Sequence, residues 1–289
     1  MPAHAPLTLS APCKINLFLH IIGRRPDGYH LLQTLFQLLD FGDELSFLAV
    51  DASAQRVSLS CDNHLLLNDD NLILKAARLL QQHHPKVPGV HIHLRKRTPM
   101  GAGLGGGSSD AATALHGLNI FWKLGLSSSE LAALGLALGA DIPLFVHGHT
   151  AWAEGIGEHL TPLPHWDAPW LLVLKPPVHV STATIFRTNE LTRNTPPSTL
   201  HDFAAQRFRN DCEAVVCALY PAVAEALKWL RQSGHAFLTG TGACVVQPCV
   251  SATEAHQRLQ QAPCAGFVAK ARNRSRLLDE IQGLNAIQR

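Results

Sequence analysis

No Gly-Lys dipeptide, no Cys-x-x-Cys pair and no His-Arg-Asp segment occurs in this 289-residue sequence. The first absence excludes a Walker A phosphate loop, which needs Gly-Lys-Ser/Thr. The second removes zinc ribbons and thioredoxin-type redox sites, and the third removes the protein kinases. Apolar runs are short as well: none approaches the roughly 18 residues that span a bilayer. Charge is scarce at 16 % of residues and nearly balanced, with 24 basic and 22 acidic side chains. A net charge of +2 argues against nucleic acid or a membrane surface as an electrostatically held partner. Met1 to Ser10 has neither the basic stretch nor the apolar core of a secretory leader, so a cytoplasmic protein is expected.

Cysteine and histidine add little chemistry. Seven cysteines is an odd, scattered set, expected as small buried hydrophobes in a reducing compartment. Seventeen histidines are unusual. His91-x-His93 and His147-x-His149 have chelate-like spacing, but no carboxylate or cysteine completes either pair, so core or solvated histidines are expected.

What is abundant is more telling. Apolar residues make up 46 % of the chain, enough for one large or two medium domains with real cores. Gly101-Ala-Gly-Leu-Gly-Gly-Gly-Ser-Ser109 holds five glycines in its first seven positions. With so few side chains, backbone amides can approach a ligand closely. A helix opening at Ser108 or Ser109 adds unpaired N–H groups and the positive end of its dipole, which together make an anion site.

The surrounding pattern reads as alternating strands and helices. Cys13 to Ile22 alternates as a strand, with Ile15, Leu17, Leu19 and Ile21 on one face and Lys14, Asn16, Phe18 and His20 on the other. Pro26-Asp-Gly28 is a turn, and Leu31 to Leu48 reads as further strand broken near Gly42. Asp70 to Gln82 has helical spacing, with Leu72, Ala76, Leu79 and Leu80 as its apolar stripe. Val90 to Arg97 is a strand feeding the glycine loop, and Ser108 to Leu124 a helix beyond it. Ser127 to Glu130 is a capping box opening a helix through Leu138. Thr150 to Glu158 reads as a strand, and prolines 162, 164 and 169 mark a seam between residues 1–160 and 161–289. Strands at Trp170 to Leu174 and Gly266 to Ala271 follow, with helices at Ser181 to Thr188, Asp211 to Gln232 (interrupted at Pro221) and Ser251 to Gln261. A second glycine turn lies in Phe237 to Val246, and a helix ends the chain. The second half is consistent with a small α+β sandwich.

Gly101-x-Gly-x-x-Gly106 also satisfies the dinucleotide-binding pattern, which keeps a nicotinamide-dependent oxidoreductase as an alternative. That reading wants an acidic strand end about 20 residues later, where this chain has helix after helix. Asp40-Phe-Gly42 spells the metal-binding tripeptide of protein kinases but precedes the glycine loop.

Pro99-Met-Gly-Ala-Gly-Leu-Gly-Gly-Gly-Ser-Ser109 resembles the second motif of the GHMP kinases, the superfamily of galactokinase, homoserine kinase and mevalonate kinase. Its extra glycines resemble the branch acting on 4-diphosphocytidyl-2-C-methyl-D-erythritol in the non-mevalonate isoprenoid pathway. Pro12-Cys-Lys-Ile-Asn-Leu with Asp27-Gly-Tyr-His30, Leu138-Gly-Ala-Asp-Ile-Pro143 and Leu238-Thr-Gly-Thr-Gly-Ala243 match that branch in collinear order over nearly the whole chain. The resemblance implies a two-domain α+β fold: an N-terminal ribosomal-protein-S5-like ATP-binding domain, a C-terminal ferredoxin-like α/β sandwich, and an active site between them. It implies ATP, as MgATP, bound by Pro99, Met100, Gly101, Ala102, Gly103, Leu104, Gly105, Gly106, Gly107, Ser108 and Ser109. Lys14 and Asp141 become the implied catalytic pair. Asn16, Tyr29, His30, Phe186, Thr239 and Gly240 become the implied substrate residues, with Tyr29 and Phe186 stacking on cytosine and His30 reading its edge. A kinase of homoserine or mevalonate type is the nearest alternative.

The residues by themselves leave plainer roles open. Asp141 could be only an N-cap ahead of Ile142-Pro143, Lys14 a strand lysine, and Phe186 a core aromatic. Asp110 reads as a helix-stabilising residue facing away from the phosphates. Ser108 or Ser109 could offer Mg2+ a hydroxyl, and spacing assigns no acidic ligand.

Overall fold

The computed structural model describes residues 6–50, 56–205 and 209–287, so residues 1–5 of the N-terminal stretch lie outside the described residues. One long pair of strands organises the molecule. β1 (Leu7–Arg24) pairs antiparallel with β2 (His30–Ala49) across the Pro-Asp-Gly turn. β2 does not break at Gly42. Gly42 lies opposite Pro12, and a Cβ on it would stand 2.1 Å from the Ala11 carbonyl oxygen. The glycine therefore marks two backbones in contact. Gly42→Ala is expected to lower stability by about 1–3 kcal/mol through overpacking, read as a lower denaturant midpoint; an unchanged midpoint would refute this.

The strict alternation expected of β1 fails at its centre. Asn16 pairs with Phe36 but Leu19 with Thr34, so two residues of β1 oppose one of β2 in a bulge. The bulge turns Leu19, in place of Phe18, onto the face of Lys14 and Asn16. Phe18 packs instead with Leu35 and Trp152.

β3 (Val57–Cys61), not among the expected strands although Val57, Leu59 and Cys61 alternate with two serines, pairs parallel with β4 (Val90–Arg95), α1 (Leu72–His83) crossing between them. The face α1 buries is Ile73, Ala76, Ala77 and Leu80, turned by one residue from the expected stripe. β4 pairs with β2 and delivers the chain to the glycine loop. There follow α2 (Gly106–Phe121), α3 (Ser128–Leu136) with its Ser127–Glu130 capping box in place, and α4 (Ile142–His147). The expected strand at 150–158 is a hairpin, β5 (Ala151–Glu154) and β6 (His159–Pro162), laid on β2. The His91-x-His93 pair is occupied by β3 hydroxyls: Ser58 and Ser60 reach the two nitrogens of His91, and Ser60 also reaches His93 Nδ1, each at 2.9 Å.

The second half contributes β7 (Trp170–Leu174), α5 (Thr182–Arg187), α6 (Leu200–Ala205), then α7 (Glu213–Leu219) and α8 (Pro221–Arg231), parted at Pro221. β8 (Phe237–Leu238), β9 (Val245–Cys249), α9 (Ala252–Gln260), β10 (Gly266–Arg272) and α10 (Arg276–Ile287) complete it. β7 lies between β9 and β10, and the end of β10 pairs with β2 through Ala271↔Leu39 and Arg272↔Leu38. That short pairing joins the sheets of the two halves. α10 returns to the first half, burying Leu277 in its core, while Glu280 accepts hydrogen bonds from Ser10 N–H and Oγ at 2.8 and 2.7 Å. Among the described residues no helix is long and apolar enough to cross a membrane.

A separate buried cluster fills the junction. Cys13, Ile15 and Leu39 from the first half meet Leu171, Val173, Val246 and Ala269 from the second, with Ala102 and Leu104 between them. The two apolar residues of the glycine loop are thus its anchors, driven by burial into the joint between the halves.

Candidate active site

Each part of the loop has a distinct task. Lys14 N–H donates to the Leu104 carbonyl at 3.0 Å and Cys244 N–H to the Ala102 carbonyl at 3.4 Å, which ties the loop to both halves. Gly103 has φ +73, and a Cβ there would stand 2.7 Å from the Thr239 carbonyl oxygen, so the second glycine turn packs directly on the first. α2 opens at Gly106, two residues earlier than expected, with Gly105 as its N-cap. Gly105 has no side chain to cap the first turn, so the amides of Gly106, Gly107 and Ser108 keep no intrahelical acceptor. They border a cavity of about 450 Å³ lined also by Pro99, Met100, Leu72 and Asn71, within the roughly 300–1,000 Å³ of small-molecule sites. Ser109 is not part of that cavity: its buried hydroxyl donates to the Pro12 carbonyl at 2.6 Å, and its N–H to the Gly105 carbonyl.

Lys14 lies beyond the loop, buried on β1. Its Nζ donates to Asn16 Oδ1 at 2.7 Å and stands 3.5 Å from Asp141 Oδ2 and 4.9 Å from the Phe36 ring centre. Asn16 is held in turn, its Nδ2 donating to Thr34 Oγ1 at 2.8 Å and its backbone N–H to Thr239 Oγ1 at 2.7 Å. Thr34 Oγ1–H in turn donates a hydrogen bond to the Phe18 carbonyl, which the β1 bulge makes available. Thr239 is fully buried and braces Asn16 from behind, whereas Gly240 reaches the cleft. Asp141 sits at the N-cap position of α4, yet its side chain makes no capping hydrogen bond. Its carboxylate points to Lys14, about a third exposed.

Lys14, Asn16, Asp141, Gly103, Gly105 and Gly240 line one cleft, and Leu32, Ile156, Thr182 and Phe186 continue it into a second basin holding Tyr29 and His30. The His30 ring stacks on Phe186 with centroids 4.7 Å apart and planes 17° from parallel. Tyr29 stands at the rim, 61 % exposed. Burial lowers the pKa of His30, and the cations of Arg193 and Arg24 push it the same way, so its ring is neutral.

With these parts in place, residues 71–149 match the GHMP kinases N terminal domain and residues 190–267 the GHMP kinases C terminal domain. The chain belongs to the GHMP kinases. It is 50 % identical over 289 aligned residues to the 4-diphosphocytidyl-2-C-methyl-D-erythritol kinase of Hahella chejuensis, covering 96 % of this chain and 97 % of the relative. The enzyme of the same name from Alcanivorax borkumensis is 52 % identical over 285 residues, covering 94 % and 92 %. A crystal structure of 4-(cytidine 5'-diphospho)-2C-methyl-D-erythritol kinase matches with TM-score 0.79 and 29 % identity, over 92 % of this chain and 99 % of that one.

This GHMP kinase cleft also recruits residues with no motif of their own. Asp110 does not face away from the loop. It is buried at the cavity wall, where Lys96 Nζ stands 2.6 Å from its Oδ2 and 2.7 Å from Asp43 Oδ2. Burial pushes Asp110 up to about 8, against the opposing pull of Lys96. Thr34 has no distinguishing sequence signal beside Gln33 and Gln37 in the same strand. Asp43 and Lys96 needed the β2–β4 register to meet.

Proposed function

We propose that the protein transfers the γ-phosphoryl group of ATP to the 2-hydroxyl of 4-diphosphocytidyl-2-C-methyl-D-erythritol, giving the 2-phosphate and ADP. The observation carrying this reading is the continuous cleft: glycine loop at one end, Lys14 and Asp141 at the middle, aromatic basin at the other. A phosphate donor and a base-bearing acceptor entering from opposite ends meet at Asp141. A homoserine or mevalonate has no base for Tyr29 and His30 to hold.

In this reading Asp141 aligns the acceptor hydroxyl and takes its proton as the oxygen attacks phosphorus. Lys14 keeps the carboxylate ionised and offsets charge on the moving phosphoryl group. Asn16 fixes the ammonium through its 2.7 Å bond. A tertiary hydroxyl is crowded, so alignment within the cleft carries much of the acceleration. The uncapped amides of α2 would receive ATP phosphates.

The loop cavity also suits Mg2+. Ser108 and Asp110 are oxygen donors lining it, and Asp110 Oδ1 is buried without a hydrogen-bond partner, so that a cation bound there would displace the proton that burial holds on this carboxyl. A cation that keeps several waters and phosphate oxygens needs no more than one or two such protein ligands. Mg2+ bound there supplies charge neutralisation to the phosphates. Residues 1–160 serve as the N-terminal ATP-binding domain and 161–289 as the C-terminal domain, with α10 returning to the first and both halves lining the acceptor basin, through Tyr29 and His30 on one side and Phe186 on the other, in a cytoplasmic enzyme.

A coupled ADP-release assay tests the reading. Turnover is expected with 4-diphosphocytidyl-2-C-methyl-D-erythritol and none with homoserine or mevalonate; release only with the latter two refutes it. Tyr29→Ala should raise the KM for the acceptor about 10- to 100-fold, the equivalent of roughly 1–3 kcal/mol of base stacking, and leave the KM for ATP in place. An unchanged acceptor KM would remove the base from this basin.

A further inference from the structure

Arg193 lies in the loop after α5 and closes around the aromatic basin. Its Nη2 donates to the carbonyls of Phe186 and Thr188 at 2.9 and 2.7 Å, and its Nη1 to that of Leu191 at 3.0 Å. Those bonds fix the guanidinium plane, and the remaining Nε–H donates to His30 Nε2 at 3.2 Å. Arginine has donors only and stays protonated. His30 Nε2 must therefore present its lone pair, and a neutral ring then carries its proton on Nδ1.

We infer that Arg193 is a positioning residue that fixes His30 as the Nδ1–H tautomer and thereby selects a cytidine over a uridine diphosphate conjugate. This rests on the acceptor proposed above. The His30 plane lies nearly parallel to Phe186, so a base stacked on Phe186 beside it shares its layer and meets it edge to edge. Nδ1 is the ring nitrogen without a hydrogen bond among the described residues. An N–H donor there matches the unprotonated N3 of cytosine. Uracil carries a proton on N3, so two donors would face each other and neither would be satisfied. The opposite tautomer would reverse the preference at that position.

Two measurements test this. In 15N-histidine-labelled protein without substrate, the His30 resonances (identified by their loss in His30→Asn) should report a proton on Nδ1, shifting toward the Nε2–H form in Arg193→Met. In inhibition of the kinase reaction, CMP should compete better than UMP, and Arg193→Met should shrink that ratio about tenfold or more. Because Arg193 also holds its loop, a second pair keeps it intact. His30→Asn places an amide near the Nδ1 position and should retain most of the preference, whereas His30→Gln places it near Nε2 and should lose it. A wild-type His30 protonated on Nε2, or a CMP/UMP ratio unchanged in Arg193→Met and His30→Gln, overturns the inference. If the wild type binds neither nucleotide, the cytidine reading of the basin and the selectivity both fall, while the NMR result still decides the tautomer.

Discussion

Asp141→Ala should lower kcat by about 10²–10⁴-fold, the usual contribution of a positioned acid–base group, with KM for ATP and acceptor changed only a few-fold. The structure makes this substitution unusually clean. Asp141 occupies the N-cap position of α4 but its carboxylate caps nothing, and Pro143 occupies a position where no amide is needed. Helix stability therefore does not depend on the side chain, and the melting temperature should stay within a few degrees. Removing the partner tests the same pair from the other side. Lys14→Met should also lose turnover, and because the two groups act as a unit, the double variant should be about as slow as the slower single one. Turnover of Asp141→Ala within a few-fold of wild type would take Asp141 out of the mechanism. Additive losses in the double variant would separate Lys14 from it.

How far the sequence reached depends on whether the physics was local. The anion site of the glycine loop follows from bare amides at a helix start, so it was legible, down to a shift of two residues in where α2 opens. Lys14 and Asn16 could be placed on one face because a strand alternates. The alternation then misplaced Phe18 and Leu19, since the bulge depends on which β2 residue each one meets. Ser109 and Thr239 looked like ligand contacts because they sit in glycine-rich motifs. In the fold their hydroxyls are spent on Pro12 and Asn16, holding the motifs themselves in place. The Ala102 and Leu104 side chains likewise bind the loop to the second half, nearly fully buried there, while both residues also border the loop cavity. Arg193 was invisible for a further reason: it acts through a ring brought alongside it from β2, more than 160 residues earlier.

Lys96→Met should destabilise the protein by about 3–5 kcal/mol, the loss expected when a buried charge is left without its partner. Lys96 lies between two carboxylates that differ in their other support. Asp43 Oδ1 accepts from the backbone N–H groups of Arg97 and Thr98 at 2.6 and 2.7 Å, whereas Asp110 Oδ2 accepts from Lys96 at 2.6 Å and its carboxyl faces that of Asp43. Burial, reinforced by the neighbouring Asp43 carboxylate, raises the Asp110 pKa to about 8 from the usual 3.8. A carboxyl raised on folding stabilises the native state fully below its unfolded value, and that contribution fades as pH rises from about 4 to about 8. Lys96 is itself raised, so its charge persists throughout that range. Without Lys96, ionising Asp110 becomes harder still, and the penalty in Lys96→Met should be larger at pH 9 than at pH 6. Asp110→Asn should flatten that difference, since it removes the group that titrates. Chemical denaturation of the wild type, the two single variants and the double variant at both pH values decides it: a loss under about 0.5 kcal/mol, the range of ordinary surface changes, or an equal loss at both, would sink the account. The same variant should raise the KM for ATP, because Lys96 forms the wall behind Gly106, where a Cβ would already stand 3.2 Å from its Nζ. The buried triad thus ties the stability of β2 and β4 to the shape of the phosphate cradle.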